Sequence, residues 1–157
     1  IAVLVLLGLM MGIKQNYKAL NVNYLIIIGG FAVSGISTLL FQNHLISPPL
    51  WMILVGFGLY LGYVPFNSIL FDRLIAAFKV TGNVGFLIYL ADSFGYLGSV
   101  VILFYKNFGF ANLSWLEFFT QSIYVVSISG TLLMGICMVY FRRKYESRDG
   151  VAVLSVR

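Results

Sequence analysis

Five apolar stretches follow one another along this chain with only short polar connections between them, and few folds can accommodate that pattern. They run from Ile1 to Ile13, Tyr24 to Phe41, Leu50 to about Phe71, Val84 to Tyr105 and Phe118 to Phe141. A helix crosses a bilayer with about 20 mostly apolar residues, a length that all but the first stretch approach. The runs are continuous and do not alternate apolar with polar, which marks helices and not barrel strands. Hydrophobic residues make up 61% and charged residues 10%, and the mean hydropathy is +0.97. A water-soluble fold could not cover that much apolar surface. The expected fold class is therefore an all-α membrane protein, a bundle of about five transmembrane helices forming a single domain over residues 1–157, with the lipid bilayer as its solvent.

The first apolar run precedes its basic residues, Lys14 and Lys18, whereas a secretory signal has the reverse order. The chain thus reads as a fragment of a larger protein, and the missing N-terminal half would be a partner of these helices. Cys137 is the only cysteine, so no intrachain disulfide is possible, and its place in LLMGICMVYF fits a small apolar filler.

Charge sets the expected orientation. With five spans, Lys14, Lys18, Arg73, Lys79 and the five basic residues of the tail 142–157 fall on one side, and Lys106 falls alone on the other. The positive-inside rule makes the first side cytoplasmic, C-terminus included. The formal charge of +5 is thereby explained by topology, and no nucleic-acid partner is expected. Trp51 and Trp115 near span ends read as interface anchors.

Polar residues inside spans are costly and mark pathways or helix-locking contacts. They gather in the third and fourth stretches, GYVPFNSILFDRLIAAF and IYLADSFGYLGS. Tyr63 and Asn67 are one helical step of four apart, as are Ser68 and Asp72, so each pair shares a face. Pro65 cannot donate to the carbonyl of Leu61 and should break the regular helix, either opening backbone to a cavity or leaving a carbonyl for a neighbouring helix. Asp72-Arg73 marks the cytoplasmic interface if the third helix stops near Phe71; it lies within the helix if LIAAF continues it. Asp92 is about 13 Å along the fourth span, on a face shared with Gly95, Tyr96 and Ser99. Ala91, Gly95 and Ser99 form a small-residue stripe that would admit another helix. Two roles are open to Asp92: a structural carboxylate paired with a neighbour such as Arg73, or a proton- or cation-linked group facing a polar pathway.

The second and fifth spans carry no charge, only tolerated serines and threonines, and read as outer, lipid-facing support. Gly8/Gly12 and Gly58/Gly62 fit GxxxG spacing and read as packing contacts. His44, the only histidine, has no Cys, Asp or Glu beside it, so no metal site is expected. No cofactor is expected either. The chain has no nucleotide loop or nucleophile–base constellation, which argues against an enzyme.

The stretches GYVPFNSILFDRLIAAF and FLIYLADSFGYLGS resemble those of a bacterial family of uncharacterised multi-pass proteins related to the major facilitator superfamily. The resemblance implies helices eight to twelve of a twelve-helix fold in the bacterial cytoplasmic membrane. It further implies that the third span lines a central cavity, the fourth faces the other half, and the second and fifth are peripheral. The loop GIKQNYKALN keeps Gly12, Lys14 and Lys18 of the superfamily's loop motif but lacks its acidic residue. On this resemblance the chain would be part of a secondary transporter moving an unknown small solute by alternating access. Its pathway candidates are Asp92, Asp72, Arg73, Asn67, Tyr63, Ser68, Tyr96 and Ser99. The alternative is a non-transporting membrane scaffold or sensor.

Overall fold

The computed structural model describes the backbone of residues 2–109 and 114–154, with side chains up to Ser147. Among the described residues all regular structure is helical: α1 (Ala2–Met11), α2 (Asn16–Gln42), α3 (Pro48–Phe78), α4 (Val84–Gly109) and α5 (Trp115–Leu154). The last four are long and apolar enough to cross a membrane.

Local chemistry sets the helix starts. Pro48 and Pro49 open α3, where an absent N–H loses no helical bond. Asn83 caps α4 by accepting from the Phe86 N–H at 3.2 Å. At the head of α5, Ser114 and Glu117 cap reciprocally: the Ser114 N–H donates to Glu117 Oε2 at 3.0 Å, and the Glu117 N–H donates to Ser114 Oγ at 3.2 Å. α3 ends at Lys79, which takes the left-handed conformation with φ 48°.

The centre of the bundle is α2, packed between α3 and α5. Its buried face includes Asn23, Tyr24, Ile27, Gly30, Ser34, Ser37 and Thr38. The α2–α3 crossing is so close that a Cβ on Gly30 would lie 2.5 Å from the Gly58 carbonyl oxygen. On the other side, a Cβ on Gly130 of α5 would meet the Phe31 ring at 2.8 Å. Small residues permit this approach, and the Gly58/Gly62 spacing serves packing within the chain. Gly8 faces open space, so no crossing forms there among the described residues.

This placement corrects the view of the second span as lipid-facing support. Its hydroxyls do not need water, because they bond back to their own helix. Ser34 Oγ donates to Gly30 O at 3.1 Å, Ser37 Oγ to Ser34 O at 3.0 Å and Thr38 Oγ1 to Ser34 O at 2.8 Å. Thr38 Oγ1 also accepts from the Trp51 indole N–H at 3.1 Å. Trp51 in turn stacks on Phe41 with ring centroids 4.1 Å apart. Trp51 is therefore a core residue tying α3 to α2, not an anchor at the lipid surface. The fourth span also differs from expectation, since from Val84 to Phe104 it holds no buried residue. It meets the bundle chiefly through the 71–78 end of α3. Large exposed side chains such as Leu25, Ile36, Ile53, Phe94, Leu132 and Ile136 form the apolar exterior that a bilayer requires.

The C-terminal tail is helical at its start, because α5 runs on past Phe141. Tyr145 stacks on Tyr17 of α2 at 3.9 Å and meets the edge of Phe78 of α3 at 6.1 Å. Three helices are thereby clasped at one end of the bundle. The Arg142–Glu146 pair, at 3.0 Å, is exposed and adds little stability.

Candidate functional site

α3 does not stop at Phe71. It runs to Phe78, so Asp72 and Arg73 lie within the helix about one and a half turns before its end, and they do not mark its boundary. After Pro65 the backbone opens into a wide π turn over Phe66–Leu70. Such turns shift the register of the side chains beyond them and are frequent at functional sites. The Pro65 carbonyl, beside this turn, accepts from Nδ2 of Asn23 at 3.3 Å. Asn23 is fully buried on α2, so a neighbouring helix reaches the backbone at the proline, though at the carbonyl of Pro65 and not at that of Leu61. Oδ1 of Asn23 has no partner.

The π turn presents Asn67 toward α4, where its Nδ2 donates to Asp92 Oδ1 at 2.9 Å. A cleft of about 330 Å³ lies over this pair, lined by Tyr63, Phe66, Asn67, Asp92, Tyr96 and Ser99 together with Ala91 and Gly95. Five of the residues picked out by sequence thus share one site: Tyr63, Asn67, Asp92, Tyr96 and Ser99. Phe66, on the π turn, was missed. Its signal was in the sequence: Phe66 stands three residues after Tyr63, as Asn67 stands four after it, which puts all three on one helical face.

The other three candidates lie outside the cleft. Arg73 donates from Nη1 to Asn16 Oδ1 of α2 at 2.7 Å, so it is not the partner of Asp92. Opposite charge is a guide to pairing only when geometry permits it, and Arg73 sits on the α2 side of its helix. Ser68 donates to the Val64 carbonyl at 2.6 Å on an exposed face, and Asp72 is exposed. The stripe of Ala91, Gly95 and Ser99 forms one wall of the cleft. A Cβ on Gly95 would meet nothing within 4 Å, so no described helix packs into the stripe.

The electrostatics of the cleft are one-sided. Among the described residues that line it, Asp92 is the only carboxylic acid, and there is no lysine, arginine or histidine. Oδ1 of Asn67 is buried without a hydrogen-bond partner. The Ser99 hydroxyl spends its proton on the Gly95 carbonyl at 3.0 Å, leaving its oxygen as an acceptor. Among the described residues no group of three His, Cys, Asp or Glu side chains is placed to hold a metal ion.

A family model described as a family of unknown function, DUF5690, matches residues 1–144. The chain belongs to that family. The match spans α1 to α4, α5 as far as Lys144, and the whole cleft, so the site is part of what the family model covers. Neither a curated protein nor a solved structure matches the chain.

Proposed function

We propose that this chain is part of a major-facilitator-like secondary transporter that moves a small solute by alternating access. The membrane would be a bacterial cytoplasmic one, with the C-terminus inside. The observation that carries the reading is the Asn67–Asp92 hydrogen bond of 2.9 Å, which joins two apolar helices at a cleft. A carboxylate within a span is expensive, and here it has one neutral partner and no cation to neutralise it. That is what a carboxylate exchanging its proton or a cation with a pathway requires. The π turn after Pro65 places Asn67 on a stretch of helix that is not regularly wound, and irregular helices within spans recur at transporter sites. Asp92 is the proposed coupling group, and Asn67, Tyr63, Tyr96 and Ser99 are the proposed lining of the pathway.

The test is concentrative uptake or counterflow by the full-length protein in sealed vesicles, screened over small cationic, neutral and anionic solutes. Accumulation of any of them driven by an ion gradient supports a transporter. Absence of flux across that panel would favour the alternative, a membrane scaffold or sensor. One observation speaks for that alternative: α2 packs centrally, where the superfamily layout would put it at the periphery.

A further inference from the structure

We infer that the cleft between α3 and α4 takes a protonated organic amine. The inference deepens the transporter reading and rests on it only for passage across the membrane; binding is a property of the cleft itself.

Three observations converge on this class. First, the charge is unopposed. Asp92 is the only ionisable acid or base on the lining besides the phenols of Tyr63 and Tyr96, and the nearest arginine along α3, Arg73, is engaged with Asn16 on α2. An anionic solute would meet a carboxylate with nothing to offset the repulsion. Second, the open polar positions are acceptors. Asn67 donates a hydrogen bond to Oδ1 of Asp92, which leaves the carboxylate's second oxygen, and Ser99 donates to a backbone carbonyl, which leaves its hydroxyl oxygen. An ammonium group suits such positions, being all donor and no acceptor. A sugar or other polyhydroxy solute would bring as many acceptors as donors and leave some unmatched.

Third, the rest of the wall is aromatic and small. Tyr63, Phe66 and Tyr96 line the cleft together with Asp92, and aromatic faces attract organic cations. At about 330 Å³ the cleft is about ten times the volume of one water in the liquid. A bare metal ion would leave it mostly empty, whereas an amine carrying a ring or short chain would fill it. The ammonium would sit on the second oxygen of Asp92, with its carbon body against the tyrosines. Because a carboxylate accepts hydrogen bonds, amines that carry an N–H should bind better than quaternary ones.

Binding to the full-length protein in lipid nanodiscs tests this, using calorimetry and three probes with the same ring and different heads. These are 2-phenylethylammonium, the neutral 2-phenylethanol and the anionic 3-phenylpropanoate. The amine should bind at least tenfold more tightly than the other two, and its trimethylammonium analogue several-fold more weakly than the amine. Asp92→Asn should weaken amine binding at least tenfold, and Asp92→Glu should restore part of it. Equal binding of the three probes, preference for the anion, no detectable amine binding, or amine binding indifferent to Asp92→Asn would each overturn the inference. If Asp92→Asn is not monodisperse, Asn67→Leu and Tyr96→Leu are read in its place, and unchanged amine binding in both overturns it. Amine binding without uptake would keep the ligand class and remove the transport claim. Asp92-dependent uptake of the anionic probe would do the reverse.

Discussion

Asn67 and Asp92, 25 positions apart in the chain, meet across two helices with Nδ2 of the amide 2.9 Å from Oδ1 of the carboxylate. This contact decides what the polar residues of the third and fourth spans can do together. It puts the carboxyl group of an apolar helix against a neutral donor and not against a cation. It also ties α4, which buries almost nothing else, to the π turn of α3.

The strength of that tie is measurable. A double-mutant cycle of Asn67→Ala and Asp92→Ala, read by unfolding in detergent, should give a coupling energy of about 1 kcal/mol, the usual range for interhelical hydrogen bonds in membranes. Strictly additive effects would mean that the two side chains do not interact.

Arg73 should behave as a separate site. Its guanidinium is bonded to Asn16 at 2.7 Å, so Arg73→Gln and Asp92→Asn should add to within about 0.5 kcal/mol. A large non-additive term would restore Arg73 as the partner of Asp92.

The α2–α3 crossing should tolerate no added methyl. Gly30→Ala would bring a Cβ to 2.5 Å from the Gly58 carbonyl oxygen, and overpacking of this kind costs about 1–3 kcal/mol. Gly56→Ala is the control: its Cβ meets nothing within 4 Å, and removing a glycine from the helix interior should stabilise by about 0.5–1 kcal/mol. Thermal unfolding of the two variants side by side gives the comparison.

Trp51 separates a hydrogen bond from packing. Trp51→Phe removes the indole N–H that reaches Thr38 at 3.1 Å but keeps a ring on Phe41, for a loss of about 1 kcal/mol. Trp51→Ala also empties the contact and should cost about 3–5 kcal/mol. Equal losses would show that the ring stack contributes nothing.

Much of the architecture can be read from composition and punctuation. The apolar runs mark the helices, Pro48-Pro49 starts α3, and Asn83 caps α4 as its place before Val84 suggests. What could not be read is which face of each helix meets which neighbour. Ser34, Ser37 and Thr38 looked compatible with lipid because their hydroxyls are satisfied within the helix, and the same property lets them pack against α3. The sign available in advance was the spacing of Asn23, Gly30, Ser34 and Ser37, a stripe of small and polar residues along one face of α2. Asp92 was visible as a costly residue, but its partner was not. Charge alone points to Arg73, whereas the crossing at Gly30 and Gly58 and the π turn after Pro65 deliver Asn67. Nor does a proline by itself announce a π turn, since a simple kink satisfies the same local constraint.

The central claim is that Asp92 links solute movement to an ion. It is tested most directly by transport through the full-length protein in sealed vesicles, comparing the native chain with Asp92→Asn over a range of external pH and ion gradients. The account predicts that Asp92→Asn abolishes the dependence on the gradient, leaving at most passive exchange of solute. Transport by Asp92→Asn with the pH and ion dependence of the native protein would contradict it.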